Sequence, residues 1–222
     1  MIRAAASERL FLAVWPPPEI AEQLAGLTRP GWVGVRWTSE SQWHVTLRFF
    51  GSVPGSEDPR FAISRSLADL GGVQRKTTSC QAVMPRAVPE LPAGLPAACI
   101  EWRAEVLGSH VLALPVTGLD KLAGAVRLAT ASIGMAETRP FRGHLTLARS
   151  KRPLGRGVSV ASLASYSSEL ARMEGGEWTV EQVALVRSTL HPQGAEYETV
   201  ATYPLGPVAT SPSFPIRRGA DR

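Results

Sequence analysis

A tetrad of residues occurs twice in the sequence and limits the folds that the chain can adopt. His44-Val-Thr-Leu47 and His144-Leu-Thr-Leu147 share the pattern His-apolar-Thr-Leu, and they start one hundred residues apart. Successive side chains of a β-strand point to opposite faces, so each copy would present a histidine and a threonine to one face and an apolar pair to the other. A chain that carries both copies in strands is therefore expected to consist of two related halves.

The rest of the chain mixes strand and helix patterns irregularly and has no glycine-rich phosphate loop. This favours an α+β fold over a doubly wound parallel sheet. The predicted strands lie at 9–15, 44–50, 75–83, 98–106, 141–148, 178–187 and 196–203, and helices are predicted near Pro18, Pro59, Asp120 and Tyr166. We expect residues 1–206 to form one domain and residues 207–222, rich in Pro, Ser and Arg, to form a disordered tail.

Composition is that of a soluble globular protein, with 44% hydrophobic and 19% charged residues. The formal net charge of +5 favours polyanionic partners, although solubility alone accounts for it equally well. Cys80 and Cys99 show no metal-ligand spacing. The sequence has neither a signal peptide nor an apolar run long enough to span a membrane. We therefore expect a cytoplasmic protein that does not associate with membranes. We also expect it to be a monomer.

A pair of histidines suits the cleavage of a phosphodiester. Only histidine titrates near neutrality, so a pair can hold one neutral and one protonated ring for two proton transfers. Hydroxyls of Thr46 and Thr146 could donate hydrogen bonds to the nonbridging phosphate oxygens, and an arginine would offset their growing charge. Simple alternation places Arg48 on the face of His44. It leaves Arg149 out of phase with His144 unless a β-bulge turns it inward.

Other interpretations of the histidines remain open. A single His-x-Thr is usually a packing residue, and His110 and His191, which lack a partner pattern, are interpreted in that way. Neither tetrad has a carboxylate beside it, so a metal site is disfavoured and no cofactor is expected. An RNA-binding module with little turnover is a further alternative, in which Trp37, Trp43 and Phe49 would stack on bases.

Segments around the tetrads carry a resemblance to a known group. They are Arg9-Leu-Phe-Leu-Ala-Val-Trp15, Val35-Arg-Trp-Thr38, Trp43-His-Val-Thr-Leu-Arg-Phe-Phe-Gly51, Arg139-Pro-Phe-Arg-Gly-His-Leu-Thr-Leu-Ala-Arg-Ser-Lys151, Leu185-Val-Arg-Ser-Thr-Leu190 and Gly194-Ala-Glu-Tyr197. The chain resembles the two-histidine (2H) phosphoesterase superfamily. Within it, the chain is similar to the RNA 2′,3′-cyclic phosphodiesterases of the LigT group, once described as 2′-5′ RNA ligases. The similarity extends to about Gly206.

The resemblance implies a bilobal fold, with two pseudosymmetric lobes of antiparallel strands, outer helices and a central cleft. It implies that His44 is the proton donor to the leaving 3′ oxygen, and that His144 is the proton acceptor that activates water. Thr46, Thr146 and Arg149 would contact the phosphate. The expected reaction opens a terminal RNA 2′,3′-cyclic phosphate to a 2′-phosphate without a metal. A small cyclic nucleotide phosphate is the alternative substrate of the same site.

Overall fold

The computed structural model describes residues 8–53, 59–67, 94–192 and 194–205. The strands of these segments are β1 (Glu8–Val14), β2 (Val35–Trp37), β3 (Val45–Val53), β4 (Ala97–Ile100), β5 (Glu105–Leu107), β6 (Val111–Thr117), β7 (His144–Ser150), β8 (Glu177–Thr179), β9 (Gln182–His191) and β10 (Gly194–Pro204). The helices are α1 (Pro18–Gly26), α2 (Pro59–Leu67), α3 (Asp120–Ala129), α4 (Leu154–Gly157) and α5 (Val160–Leu170), with a 3₁₀ turn at Glu40–Gln42.

All of these strands join one antiparallel sheet in the order β10-β9-β1-β3-β7-β6-β4-β8. Strand β2 adds to β7 and strand β5 adds to β6. The α+β prediction is therefore confirmed. None of the helices in the described residues is long and apolar enough to cross a membrane. The predicted strand at 75–83 and the predicted tail at 207–222 lie outside the described residues.

The predicted strand at 98–106 is two short strands, and a strand that the sequence pattern did not predict lies next to them. Strand β6 pairs with β5 through Val111–Ala113 and with β4 through Val116 and Thr117. A proline argues against a central strand in a sequence. Pro115 lies where the partner of β6 on the edge away from β7 changes from β5 to β4. Its missing N–H is therefore not needed for a ladder hydrogen bond, and its carbonyl accepts from the backbone N–H of Glu101.

The two tetrads meet at the centre of the sheet. Strands β3 and β7 pair directly at Val45 and Leu145, the residues that follow the two histidines. Both side chains are fully buried and belong to the main core. Helices α1 and α3 contribute apolar faces to this core, with Leu24 and Leu122 fully or nearly fully buried. The two histidines, each one residue earlier along the chain, therefore point to the other face of the sheet.

Strand β3 contains a β-bulge inside its tetrad. Its register with β1 pairs Ala13 with Thr46 and Leu12 with Arg48, so Leu47 has no partner. An extra residue of this kind reverses the alternation of side chains beyond it. As a result, Arg48 no longer shares the face of Thr46.

Strand β7 contains the same irregularity at the same position of its tetrad. Its register with β6 pairs Ala113 with Thr146 and Leu112 with Ala148, so Leu147 has no partner. The repeat in the sequence is therefore also a repeat in backbone geometry.

Candidate active site

The two histidines have matching hydrogen bonds. Nδ1 of His44 lies 2.8 Å from the carbonyl oxygen of Gln42, and Nδ1 of His144 lies 2.8 Å from the carbonyl oxygen of Arg142. A carbonyl oxygen only accepts, so each ring donates through Nδ1–H. In the neutral ring, Nε2 then carries the lone pair and is available to a ligand.

The antiparallel pairing brings the two tetrads into one site. Since Val45 lies opposite Leu145, the register that continues this pair sets Thr146 on the side of His44 and Thr46 on the side of His144. The charge of His144 is one of the causes that lower the pKa of His44. The two imidazoles are thus close enough to interact electrostatically.

Three aromatic rings surround His44. Its ring centroid lies 4.9 Å from that of Phe11, 5.6 Å from that of Trp15 and 4.9 Å from that of Tyr197. Burial is the largest of the causes that lower the pKa of His44 to about 4, and the nearby charges of Arg149 and His144 contribute in the same direction. The hydrogen bond to Gln42 opposes them. In the free protein, His44 is therefore neutral at pH 7.

A cleft of about 370 Å³ opens beside His44, within the size range of small-ligand sites. The residues that line it are Arg9, Phe11, Arg36, Thr38, Gln42, His44, Thr46, Phe49, Thr146, Arg149, Ser188, Leu190, Ala195 and Tyr197. Four of the residues predicted for the site are thus brought together: His44, Thr46, Thr146 and Arg149. His144 is not among the lining residues, and its electrostatic interaction with His44 is what connects it to the cleft.

The bulges decide which arginine reaches the cleft. Beyond Leu147, the reversed alternation places Arg149 on the face of His144 and Thr146, where it is exposed and lines the cleft. The corresponding residue of β3 is Phe49, which also lines the cleft. The two halves therefore differ at this position, with a cation in one and an aromatic ring in the other.

Arg48 does not join the site that simple alternation assigned to it. The bulge at Leu47 turns its side chain away, and it is 2% exposed. Its guanidinium donates to the carbonyl oxygens of Ile133 at 2.8 Å and Arg127 at 3.3 Å, and it packs on the ring of Phe50 at 5.1 Å. These contacts tie β3 to the end of α3.

Thr38 supports the bulge of β7 from the neighbouring segment. Its backbone N–H donates to the carbonyl of Leu147 at 2.8 Å. Its hydroxyl lies 2.8 Å from the carbonyl oxygens of both Thr146 and Leu147. The indole N–H of Trp43 donates to the same hydroxyl at 3.1 Å. Thr38 thus fixes the backbone from which Arg149 projects.

Other predictions about aromatic and histidine residues have different outcomes. Of the three aromatics considered for base stacking, Phe49 lines the cleft, whereas Trp43 is 2% exposed and Trp37 packs against the core. Neither His110 nor His191 lines the cleft. His110 lies 3.1 Å from the carbonyl of Ser150, and His191 pairs with Glu196 in the β9–β10 hairpin.

Sequence reasoning did not identify Arg9, Arg36, Gln42 or Tyr197 as lining residues. Each lies in a segment that carries the resemblance or next to one, but nothing in the local pattern of β10 indicates that Tyr197 packs on His44. Among the described residues, no group of three or more His, Cys, Asp or Glu side chains is arranged to hold a metal ion.

Comparison with known proteins shows which family the chain is similar to. The model of the family described as LigT like Phosphoesterase matches residues 113–197, which include the second tetrad and Arg149. A Thermus thermophilus protein named RNA 2′,3′-cyclic phosphodiesterase is 32% identical over 208 residues, covering 89% of this chain and 90% of the relative.

Solved structures show the same fold. The crystal structure of TT0787 of Thermus thermophilus has a TM-score of 0.61 at 25% identity and covers 89% of this chain and 97% of its own. E. coli LigT complexed with 3′-AMP has a TM-score of 0.59 at 22% identity, with 90% and 98% covered. From the extent of the curated match and the agreement of fold, we conclude that the chain belongs to the LigT-like phosphoesterase family.

Proposed function

We propose that this protein hydrolyses a 2′,3′-cyclic phosphate at an RNA end to a 2′-phosphate, with two histidines as acid and base and without a metal. The observation that carries the proposal is the matched pair of Nδ1–carbonyl hydrogen bonds at His44 and His144, which leaves Nε2 of each ring for proton transfer. The name of the relative from Thermus thermophilus, RNA 2′,3′-cyclic phosphodiesterase, supports the choice of substrate.

In the proposed reaction, Nε2 of His144 takes a proton from water as the water oxygen attacks phosphorus. The bond between phosphorus and the 3′ oxygen breaks, and Nε2–H of His44 gives its proton to that oxygen. Each such transfer typically accelerates a reaction by about 10²–10⁴-fold. The hydroxyls of Thr46 and Thr146 and the guanidinium of Arg149 stabilise the charge on the nonbridging oxygens.

The low pKa of His44 makes substrate binding part of this mechanism. Burial and the neighbouring positive charges disfavour the imidazolium and keep the ring neutral. An anionic phosphate beside Nε2 offsets these charges and raises the pKa of the ring. His44 thus takes up its proton together with the substrate and is ready to act as the acid.

The test is incubation of the protein with an oligonucleotide that ends in a 2′,3′-cyclic phosphate, in excess chelator, followed by identification of the phosphate position in the product. We expect a 2′-phosphate from the wild-type protein and a large loss of rate in both His44→Ala and His144→Ala. The double variant should be little slower than either single variant, since the two rings act as one unit. Full activity in His144→Ala, or activity that chelator abolishes, would overturn the proposal.

Two alternatives keep the same cleft. A small cyclic nucleotide phosphate as the natural substrate would compete better than the oligonucleotide in the same assay. Tight binding of the cyclic-phosphate end without product after long incubation would instead indicate an RNA-end-binding module.

A further inference from the structure

The cleft carries more positive charge than one cyclic phosphate requires. Three arginines line it, namely Arg9, Arg36 and Arg149, and none of the described lining residues is an aspartate or glutamate. A nucleoside 2′,3′-cyclic phosphate brings a single negative charge, whereas every further nucleotide of an RNA end brings another. Arg149 is already assigned to the reacting phosphate under the proposed function, so the charge of the other two arginines exceeds what the reaction itself uses.

Arg36 lies directly opposite Arg149. The two residues are antiparallel partners of strands β2 and β7, so their side chains point to the same face. The flanking residues of β2, Val35 and Trp37, pack against the core, while Arg36 is exposed and lines the cleft. An anionic ligand in the cleft would therefore meet two guanidinium groups on adjacent strands.

The guanidinium groups of Arg36 and Arg149 have different neighbours. The charge of Arg149 acts on the ring of His44. The guanidinium of Arg36 instead lies over Gly194 at the start of β10, where a Cβ atom would clash with its nitrogens. The side-chain amide of Gln42 donates to the next carbonyl, that of Ala195, at 2.7 Å. Arg36 is thus held between Arg149 and the β9–β10 hairpin.

We propose that Arg36 binds a second phosphate, the one that joins the cyclic-phosphate nucleotide to the preceding nucleotide of the strand. This inference rests on the proposed function, and it specifies the substrate class as an oligonucleotide end rather than a single nucleoside cyclic phosphate. Arginine suits the role because its planar guanidinium can donate two hydrogen bonds to one phosphate.

The experiment compares ligands that differ only in the second phosphate. Binding of adenosine 2′-monophosphate and adenosine 2′,5′-bisphosphate is measured by calorimetry. Hydrolysis of a nucleoside 2′,3′-cyclic phosphate and of a dinucleotide with the same cyclic end is measured in parallel. For the wild-type protein we expect tighter binding of the bisphosphate and a higher kcat/KM on the dinucleotide.

In Arg36→Gln, both preferences should fall by roughly tenfold, the scale of one hydrogen bond to a charged group. The one-phosphate ligands should be handled almost as by the wild-type protein. The slope of log affinity for the bisphosphate against log salt concentration should fall by roughly one. Arg36→Lys should restore part of the preference, since it keeps the charge. Arg172→Gln, which removes the same charge from an exposed position after α5, should leave both preferences unchanged.

The outcomes separate this inference from the proposed function. Equal losses on one- and two-phosphate ligands in Arg36→Gln, or no preference in the wild-type protein, would overturn the second phosphate site even if cyclic phosphates are hydrolysed. A preference for the bisphosphate that depends on Arg36, together with no hydrolysis of any cyclic phosphate, would retain the site and overturn the proposed function.

Discussion

The phenol ring of Tyr197 meets the imidazole of His44 edge-on, with the ring centroids 4.9 Å apart and the planes at 83°. The two residues are separated by most of the chain, and the contact exists because β9 pairs with both β1 and β10 and so brings β10 to the cleft. Tyr197 therefore excludes water from one side of a histidine to which we assign proton transfer.

Truncation of Tyr197 should change the titration of His44. In Tyr197→Ala, water reaches the ring, so we expect the pKa of His44 to rise from about 4 towards its ordinary value of 6.5. The measurement is a ¹H–¹⁵N NMR titration of the histidine side chains. Tyr203→Phe, which alters a tyrosine bonded to Ser64 away from the cleft, is the control. An unchanged titration of His44 in Tyr197→Ala would contradict the assigned cause.

The same low pKa predicts how stability depends on pH. Between pH 6.5 and pH 4 the unfolded chain protonates His44 while the folded protein does not, so the free energy of unfolding should decrease as the pH falls through this range. The effect of this one group is at most about 3.5 kcal/mol, from about 1.4 kcal/mol per unit of pKa.

His44→Gln removes the titrating group and should flatten this part of the stability curve. Urea unfolding of both proteins is measured at several pH values that lie between the folded and unfolded pKa values of His44, and at higher pH. The difference in unfolding free energy between the two proteins isolates His44 from other titrating groups. Parallel curves for the two proteins would show that His44 does not titrate differently in the folded state.

Replacement of the two arginines near the ends of the tetrads should lower two different quantities, stability for Arg48 and kcat/KM for Arg149. Arg48→Met removes the hydrogen bonds of a buried guanidinium to two backbone carbonyls and should cost about 2–3 kcal/mol of stability. The kcat/KM of the protein that remains folded should change little. Arg149→Gln should leave stability almost unchanged, because the side chain is exposed, and should lower kcat/KM by roughly 10²–10³-fold.

Thermal melts and initial-rate kinetics on the same preparations measure both quantities. A large loss of turnover in Arg48→Met below its melting temperature would indicate that Arg48 takes part in the reaction.

Thr38→Val tests whether the bulge of β7 positions Arg149. Loss of the hydroxyl that hydrogen-bonds to the carbonyls of Thr146 and Leu147 should cost about 1–3 kcal/mol of stability. It should also lower kcat/KM by roughly 10–100-fold, since a small displacement of a catalytic group is expensive. Thr130→Val is the matched control, because Thr130 is also buried and its hydroxyl donates to a backbone carbonyl, that of Val126 in α3. A control that loses as much kcat/KM as Thr38→Val would remove the positioning role.

The sequence pattern was sufficient to predict the elements whose apolar residues recur with a regular period. The helix at Pro18 and the strands that carry the tetrads follow from apolar spacing and proline position. The sequence pattern did not predict the division of the strand at 98–106 into β4 and β5, nor did it predict β6. Both depend on the change of neighbouring strand at Pro115, which is a property of tertiary pairing.

The site was predictable in its histidines and threonines but not in its arginines. Alternation favoured Arg48 over Arg149, and only the family resemblance favoured Arg149. The bulges at Leu47 and Leu147 reverse the two, and a leucine carries no local signal for a bulge. Arg36 and Tyr197 reach the cleft from β2 and β10, so their roles depend on contacts between distant parts of the chain.

The difference between Phe49 and Arg149 has a consequence for regiochemistry. A cleft with true two-fold symmetry would accept a cyclic phosphate in two orientations, and it would release a mixture of 2′- and 3′-phosphomonoesters. With a guanidinium at one end of the repeat and a benzene ring at the other, the two orientations have different energies. Under the proposed function, this difference of one residue pair between the halves favours one orientation of the cyclic phosphate and therefore one of the two phosphomonoester products.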